Sequence, residues 1–128
     1  MSGLAEALLG GWLLESFVSR HDGTDEVRHP FGDNPSGLIL YTADGHMSAQ
    51  LTPGGDGEFV SYGGRFDVDE AAATVCHHVV ISTLPELLRQ PQIRHAKIDG
   101  DRLTLSVTQT SAKGRVVHST LVWRRDTG

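Results

Sequence analysis

The stretch from His29 to Leu51 constrains the fold more than any other part of the chain. It opens with a loop rich in turn-forming residues and continues into the apolar run Leu38 to Thr42. Only Ala43-Asp44-Gly45 separates this run from a second segment, His46 to Leu51. Two apolar-rich segments joined by a short Asp-Gly turn are typical of a β-hairpin, so antiparallel sheet is expected.

Strand pairing in this hairpin would collect apolar side chains on one face. If Thr42 to Gly45 form a type I turn with Gly45 in the left-handed region, Tyr41 faces Met47 and Ile39 faces Ala49. The apolar face then carries Ile39, Tyr41, Met47, Ala49 and Leu51, and the other face carries His46, Ser48 and Gln50. Because an apolar sheet face must be covered, the rest of the chain is expected to supply more sheet.

Alternating polar and apolar residues predict further strands along the chain. The predicted segments are Trp12 to Ser19, a short edge strand at Glu26 to His29, Glu58 to Val68, Ala73 to Ser82, Ile93 to Ile98, Arg102 to Val107 and Val116 to Arg125. One or two short helical turns are expected before Gly10, and another between Leu84 and Pro91. A meander of eight or nine strands without a long helix closes most economically on itself. We therefore predict an all-β fold, a single antiparallel eight- to nine-stranded meander β-barrel over residues 1–128.

Composition and charge exclude several classes of function. The net charge is −5 and the basic residues are scattered, so no surface for nucleic acid or an anionic membrane is expected. No stretch approaches the roughly 18 apolar residues of a membrane span, and Met1 to Leu9 lacks the features of a signal peptide. The single cysteine, Cys76, excludes an internal disulfide and favours a reducing compartment. A cytoplasmic location is the prediction.

A glycine-rich loop, Thr52 to Gly57, invites a phosphate-binding interpretation. It lacks the Gly-Lys-Ser/Thr ending of a P-loop, and no convincing helix follows it in the sequence. Nothing else in the sequence suggests a nucleotide or redox cofactor site. Any catalysis by this chain is therefore expected to be cofactor-free.

Several short motifs, taken in their order and spacing, resemble the lipocalin-like domain family of small bacterial and fungal calycin-type proteins. The resemblance covers nearly the whole chain. The matching segments are Leu9 to Trp12, His29 to Gly32, Pro35 to Gly37, Tyr41 to Ser48, Tyr62 to Phe66, Val75 to Val79, Gly100 to Leu105 and Leu121 to Arg125.

The resemblance implies a calycin barrel that binds a small apolar or aromatic molecule. Gly10-x-Trp12 is similar to the lipocalin Gly-x-Trp motif, whose tryptophan closes one barrel end against an arginine of the last strand. Arg125 or Arg124 would supply that arginine here, in a structural rather than catalytic pair. Family members occur in natural-product gene clusters, and related barrels have been recruited as cyclases or isomerases.

His77 is the strongest candidate for chemistry. It alternates with Val75, Val79 and Ile81, which places it on the apolar and hence inward face. Burial lowers the pKa of an imidazole, which suits a general base near neutral pH. The alternative is a core histidine bonded to a backbone carbonyl or a tyrosine. His78 is expected on the outer surface.

Two tyrosines are predicted to share the barrel interior with His77. The hydroxyls of Tyr41 and Tyr62 would either bond a ligand's carbonyl or phenol or merely fill space. In the catalytic interpretation, His77 transfers protons together with Tyr41 or Tyr62. The side chains expected to contact the ligand are Trp12, Ile39, Met47, Phe66, Val79, Trp123 and Arg125.

A metal site is not predicted, although the chain has seven histidines. Neighbouring His77 and His78 point to opposite faces of a strand, so they cannot share one ion. His46, His95 and His118 would meet only if the tertiary structure happened to bring them together.

Three hypotheses follow from the sequence. The first is a cofactor-free cyclase or isomerase that acts on a hydrophobic, polyketide- or terpenoid-like intermediate. The second is a non-catalytic carrier of a hydrophobic or aromatic small molecule, and the third is a barrel filled by its own side chains. Gly63-Gly64 and the small residues Ser16, Ala49 and Ser119 favour empty space inside. An exposed edge near Glu26 to His29 suggests a possible homodimer.

Overall fold

Antiparallel strands make up most of the computed structural model, which describes residues 3–24, 26–53, 58–110 and 113–127. Within these ranges the chain forms α1 (Leu4–Leu8), a 3₁₀ turn (Pro85–Leu88) and nine strands: β1 (Gly10–His21), β2 (Val27–Arg28), β3 (Ser36–Tyr41), β4 (His46–Thr52), β5 (Val60–Asp69), β6 (Thr74–Ser82), β7 (Gln92–Asp99), β8 (Arg102–Thr110) and β9 (Val116–Arg125). Residues 54–57 of the glycine-rich loop lie outside the described residues. No helix in the described part of the chain has the length and apolar character needed to cross a membrane.

Eight of these strands close into a barrel. The order is β1-β3-β4-β5-β6-β7-β8-β9, and β9 returns to pair with β1 from Trp12↔Arg125 to His21↔Val117. The remaining strand, β2, is not one of these eight and pairs with the last part of β1 at Ser19↔Arg28. The prediction of an antiparallel meander barrel with short helical turns is confirmed. Pairing of two chains near β2 stays a prediction.

The central hairpin has the predicted register. Tyr41 lies opposite Met47, and Ile39 lies opposite Ala49. Gly45 has a φ of 88° and donates its N–H to the Thr42 carbonyl at 3.1 Å. A side chain at that φ would be strained, which explains why glycine stands at this position of the turn.

Two β-bulges shift the inward and outward alternation of the strands. The predicted strand Trp12 to Ser19 was expected to place Ser16 inside the barrel, but a bulge between Leu14 and Ser16 turns Phe17 toward the interior instead. In β6 a bulge at Val80 leaves the side chains of Val80 and Ile81 73% and 71% exposed. The expectation that Ile81 points inward with His77 is therefore wrong, because the extra residue breaks the two-residue period.

The hydrophobic core occupies the half of the barrel next to α1. Its fully buried side chains include both tryptophans, and the buried apolar set is Leu8, Trp12, Leu14, Ile39, Tyr41, Met47, Ala49, Leu51, Val75, Ala96, Leu103, Leu105 and Trp123. These positions lie on α1 and on the strands β1, β3, β4, β6, β7, β8 and β9. The other half of the barrel is less completely filled.

Arg125 and Trp12 close the filled end of the barrel. The Arg125 guanidinium lies 4.0 Å from the centroid of the Trp12 ring and donates hydrogen bonds to the carbonyls of Leu9 at 3.0 Å and Ala7 at 2.6 Å. The indole N–H of Trp12 in turn donates to the Leu8 carbonyl at 2.9 Å. Of the two arginines considered from sequence, Arg125 thus occupies the position over the indole, and it also holds the end of α1.

Replacing Arg125 with methionine should lower the free energy of unfolding by about 2 kcal/mol, because the variant loses a cation–π contact and two charge-assisted hydrogen bonds. Urea denaturation of the purified variant measures the loss. Arg124→Met is the matched control, since Arg124 is exposed and, among the residues that the structure describes, is held by a 3.8 Å ion pair with Glu15. Equal stabilities for the two variants would contradict this role for Arg125.

Candidate ligand-binding site

A cavity of about 330 Å³ occupies the half of the barrel away from Trp12. The strands, the 3₁₀ turn and the loop before β3 all contribute to its lining: Phe17, Phe31, Leu51, Val60, Tyr62, Leu84, Glu86, Leu87, Arg94, Val107, Gln109, Ser119 and Leu121. A wider depression at the rim shares Glu86 and Gln109 with the cavity, so the cavity reaches solvent at that end. Apolar walls with a few polar groups are typical of small-molecule pockets.

A buried hydrogen-bond network lies between the cavity and the core. His77 on β6 is completely buried, and its Nε2 is 2.7 Å from the Tyr41 hydroxyl. Its Nδ1 is 3.5 Å from the Tyr62 hydroxyl, and Tyr62 lines the cavity. The structure therefore brings together the three residues for which catalytic roles were predicted, while His78 is exposed on the outer face, where it bonds Asp67 at 2.6 Å.

Close strand packing holds β5 against β6 beside this network. A Cβ atom on Gly64 would lie 2.1 Å from the His78 carbonyl oxygen, so only glycine fits. The β6 bulge occurs at the same place, and beyond it Tyr62 pairs with Ser82. The bulge and the glycine together set the position of the Tyr62 side chain relative to His77.

The imidazole of His77 is neutral at physiological pH. Burial, with smaller contributions from Arg94 and His78, lowers its pKa to about 3. A neutral imidazole has one N–H donor and one acceptor nitrogen. Within the described residues the Tyr41 hydroxyl hydrogen-bonds to His77 Nε2, which we assign as the acceptor. Nδ1 then carries the proton and donates toward the Tyr62 oxygen.

This assignment turns Tyr62 into a donor toward the cavity. Its oxygen accepts from His77, so its own hydroxyl hydrogen is free to point at a ligand. Burial raises the pKa of Tyr62, and it raises the pKa of Tyr41 well above the usual value. Both phenols therefore stay protonated, and the network presents a hydrogen-bond donor to the cavity.

Arg94 is a cationic cavity residue that was not predicted from the sequence. Gln92, Arg94 and Ala96 alternate on the inward face of β7, whereas Ile93 is 57% exposed. Arg94 donates to the Ile93 carbonyl at 3.1 Å and to Gln92 Oε1 at 3.3 Å. Burial lowers the pKa of its guanidinium from the usual value. The alternation of Arg94 with Ala96 and Ile98 in the sequence could have indicated that Arg94 points inward.

The seven predicted ligand-contact residues, all within the described ranges, lie outside the lining of this cavity. Four are in the closed core, namely Trp12, Ile39, Met47 and Trp123, and Arg125 covers the end of that core. Phe66 packs edge-on against Tyr41 at 4.9 Å and faces a depression under α1. Val79 borders a groove beside the 3₁₀ turn. Contact of these residues with a ligand stays a prediction.

A second group of polar side chains lies on the outer face of β5 and β6. Ligand atoms of Asp67, Cys76 and His78 all lie within 4.8 Å of one another, a convergence that histidine spacing alone did not reveal. Asp67 already bonds His78, and burial together with the nearby Asp67 carboxylate raises the pKa of the Cys76 thiol. Binding of a metal ion here would require the thiolate form of Cys76.

Comparison with known proteins gives one family match. The model of a family described as a lipocalin-like domain matches residues 9–126, from the residue before β1 to the residue after β9. The match therefore spans the whole barrel, both tyrosines, His77 and Arg94. No curated protein matches the chain.

Acid should destabilise the fold through His77. At least one unit above pH 6.5 the imidazole is almost entirely neutral in both the folded and the unfolded chain, so it contributes little pH dependence there. As pH falls from 6.5 toward 3, the unfolded chain binds a proton that the folded barrel does not. The free energy of unfolding should then fall by about 1.4 kcal/mol per pH unit from this group.

Urea denaturation between pH 7.5 and pH 4 measures this effect. In the His77→Gln variant, the free energy of unfolding should lose the part of its pH dependence that corresponds to the binding of about one proton. The reason is that glutamine does not titrate in this range. His95→Gln, at an exposed position on the outer face of β7, should retain the wild-type slope. Parallel curves for His77→Gln and the wild type would refute the assignment.

Proposed function

Because the chain belongs to the lipocalin-like domain family, we propose that it binds a small apolar or aromatic molecule in the cavity beside Tyr62 and Arg94. The observation that carries this proposal is the uneven filling of the barrel. One half is a closed core around Trp12, and the other holds a cavity of about 330 Å³. Eight-stranded barrels have room for packed side chains or for one small ligand, and this chain divides its interior between the two.

The cavity wall supports an apolar or aromatic ligand. Phe17 and Phe31 pack with ring centroids 5.2 Å apart at the open half, and aliphatic side chains from Val60, Val107 and Leu121 complete the surface. Burying a ligand's apolar surface here yields about 25 cal/mol per Å² before the costs of association. The volume lies at the lower end of the usual range for ligand pockets, which favours a compact ligand.

A neutral apolar fluorophore, N-phenyl-1-naphthylamine, tests this proposal. We expect saturable binding at one site, and Ser119→Phe should weaken it at least tenfold, because the larger side chain would occupy the cavity. Thr120→Phe is the matched control: it adds the same side chain at the next position, on the outer face of β9. Absence of saturable binding to the wild type would favour a barrel without a ligand.

A second candidate function is the cofactor-free cyclase or isomerase expected from sequence. The observation that favours it is the Tyr62 hydroxyl, directed at the cavity by His77 and Tyr41 and accompanied by the Arg94 cation. Two such donors would stabilise the enolate that forms when water or a buffer base entering the cavity removes the proton next to the carbonyl of a polyketide- or terpenoid-like compound.

In this candidate none of His77, Tyr41 and Tyr62 acts as a general base. With a pKa of about 3, the His77 imidazole is a weak base at neutral pH. We therefore give His77 and Tyr41 the role of positioning the Tyr62 hydroxyl. Tyr62 would donate a hydrogen bond to the reacting oxygen, while the cavity walls hold the substrate in the required conformation.

Enolisation of a bicyclic ketone, 2-tetralone, tests the catalytic candidate. Deuterium incorporation next to the carbonyl, followed by proton NMR in D₂O, should be faster with the wild type than in buffer. Tyr62→Phe should reduce this rate enhancement by about 10²–10³-fold, since it removes one oxyanion donor. The variant should still bind N-phenyl-1-naphthylamine. If the wild type binds N-phenyl-1-naphthylamine but does not accelerate deuterium exchange into 2-tetralone, the protein is a carrier and the catalytic candidate is wrong.

A further inference from the structure

The one arginine that lines the cavity has no anionic partner in the part of the chain that the structure describes. The ion pairs among these residues involve other arginines and the histidines, and none includes Arg94. Its two hydrogen bonds go to neutral oxygens, the Ile93 carbonyl and Gln92 Oε1. A half-buried guanidinium bonded only to neutral acceptors still lacks a counter-charge.

The neighbouring ionisable groups do not supply this charge. The ionisable groups that act electrostatically on Arg94 are Tyr62, Tyr41 and Cys76. Burial raises the pKa of each of them. All three are neutral at pH 7. Glu86 is the one carboxylate among the lining residues, and it is exposed on the 3₁₀ turn at the rim. The inner part of the cavity therefore holds a cation without an anion.

Arg94 also occupies a defined depth in the barrel. It pairs across β6 and β7 with Val75, which is completely buried in the core. Arg94 thus lies at the border between the filled half and the cavity, and Tyr62 lines the same cavity and contacts the buried His77. Five N–H groups of a guanidinium and one phenol O–H are all donors, so this border offers donors to a bound molecule.

We propose that the ligand of this barrel is an amphipathic carboxylate whose anionic group binds Arg94 and Tyr62. Its apolar or aromatic body then fills the space toward Phe17, Val107 and Leu121. A carboxylate matches the planar fork of a guanidinium, and its single charge matches the single cation. This inference rests on the proposed ligand-binding function and specifies the chemical class of the ligand.

Calorimetric titration of the 128-residue chain with an isosteric ligand pair tests this inference. Naphthalene-2-carboxylate and neutral naphthalene-2-carboxamide have the same shape, so their affinities differ mainly through charge. The wild type should bind the carboxylate at least tenfold more tightly than the carboxamide at pH 7.5. Arg94→Met should weaken carboxylate binding by about 100-fold and change carboxamide binding little. Arg94→Lys retains the cation and should recover part of the lost affinity.

Lys97→Met is the matched control, because it removes a positive charge from the exposed outer face of the same strand. It should leave both affinities unchanged. Equal affinities for the two ligands in the wild type would overturn the inference but leave the proposed binding function intact. If neither ligand nor N-phenyl-1-naphthylamine bound saturably, both would be overturned. The wild-type comparison decides the question even if an Arg94 variant does not fold.

Discussion

The pairing of β1 with β9 is the constraint on which the rest of the molecule depends. It joins the first and last barrel strands from Trp12 to His21, so the eight barrel strands enclose a single interior. Closure satisfies the backbone groups that an open sheet would leave at its edges. It also limits the interior to the width of an eight-stranded barrel, so side-chain size along the axis decides where space remains. The two tryptophans fill one end, and smaller residues such as Ser119 leave the cavity at the other.

The filled half determines the chemistry of the cavity. It buries His77 completely, which keeps the imidazole neutral beside the hydroxyls of Tyr41 and Tyr62. The same low-dielectric surroundings make the charge of Arg94 costly unless a ligand compensates it. Core packing and ligand recognition are therefore coupled, because the residues at the border belong to both. The proposed preference for a carboxylate and the proposed enolate stabilisation use the same two donors.

Much of the fold could be predicted because it depends on local patterns. The Asp-Gly turn and the period of two placed Tyr41 opposite Met47 and brought His77 to the inward face. The resemblance of Gly10-x-Trp12 to the lipocalin motif predicted that Arg124 or Arg125 covers Trp12, and the structure places Arg125 there. Predictions failed where a local pattern is interrupted, as at Ile81 beyond the β6 bulge. Arg94 was missed because a charged residue in a strand is usually taken to face solvent.

The sequence by itself determined the strand order, the hairpin register and, away from the two bulges, which side chains point inward, since these follow from alternation and from turn chemistry between neighbouring segments. Only the tertiary structure decided how deep each inward residue lies. Ile39 and Tyr62 share an inward orientation, yet one is buried in the core and the other lines the cavity. Alternation specifies a face of the sheet but not a height along the barrel axis. That height depends on strand stagger, bulges and closure, which are set by pairings between residues far apart in the chain.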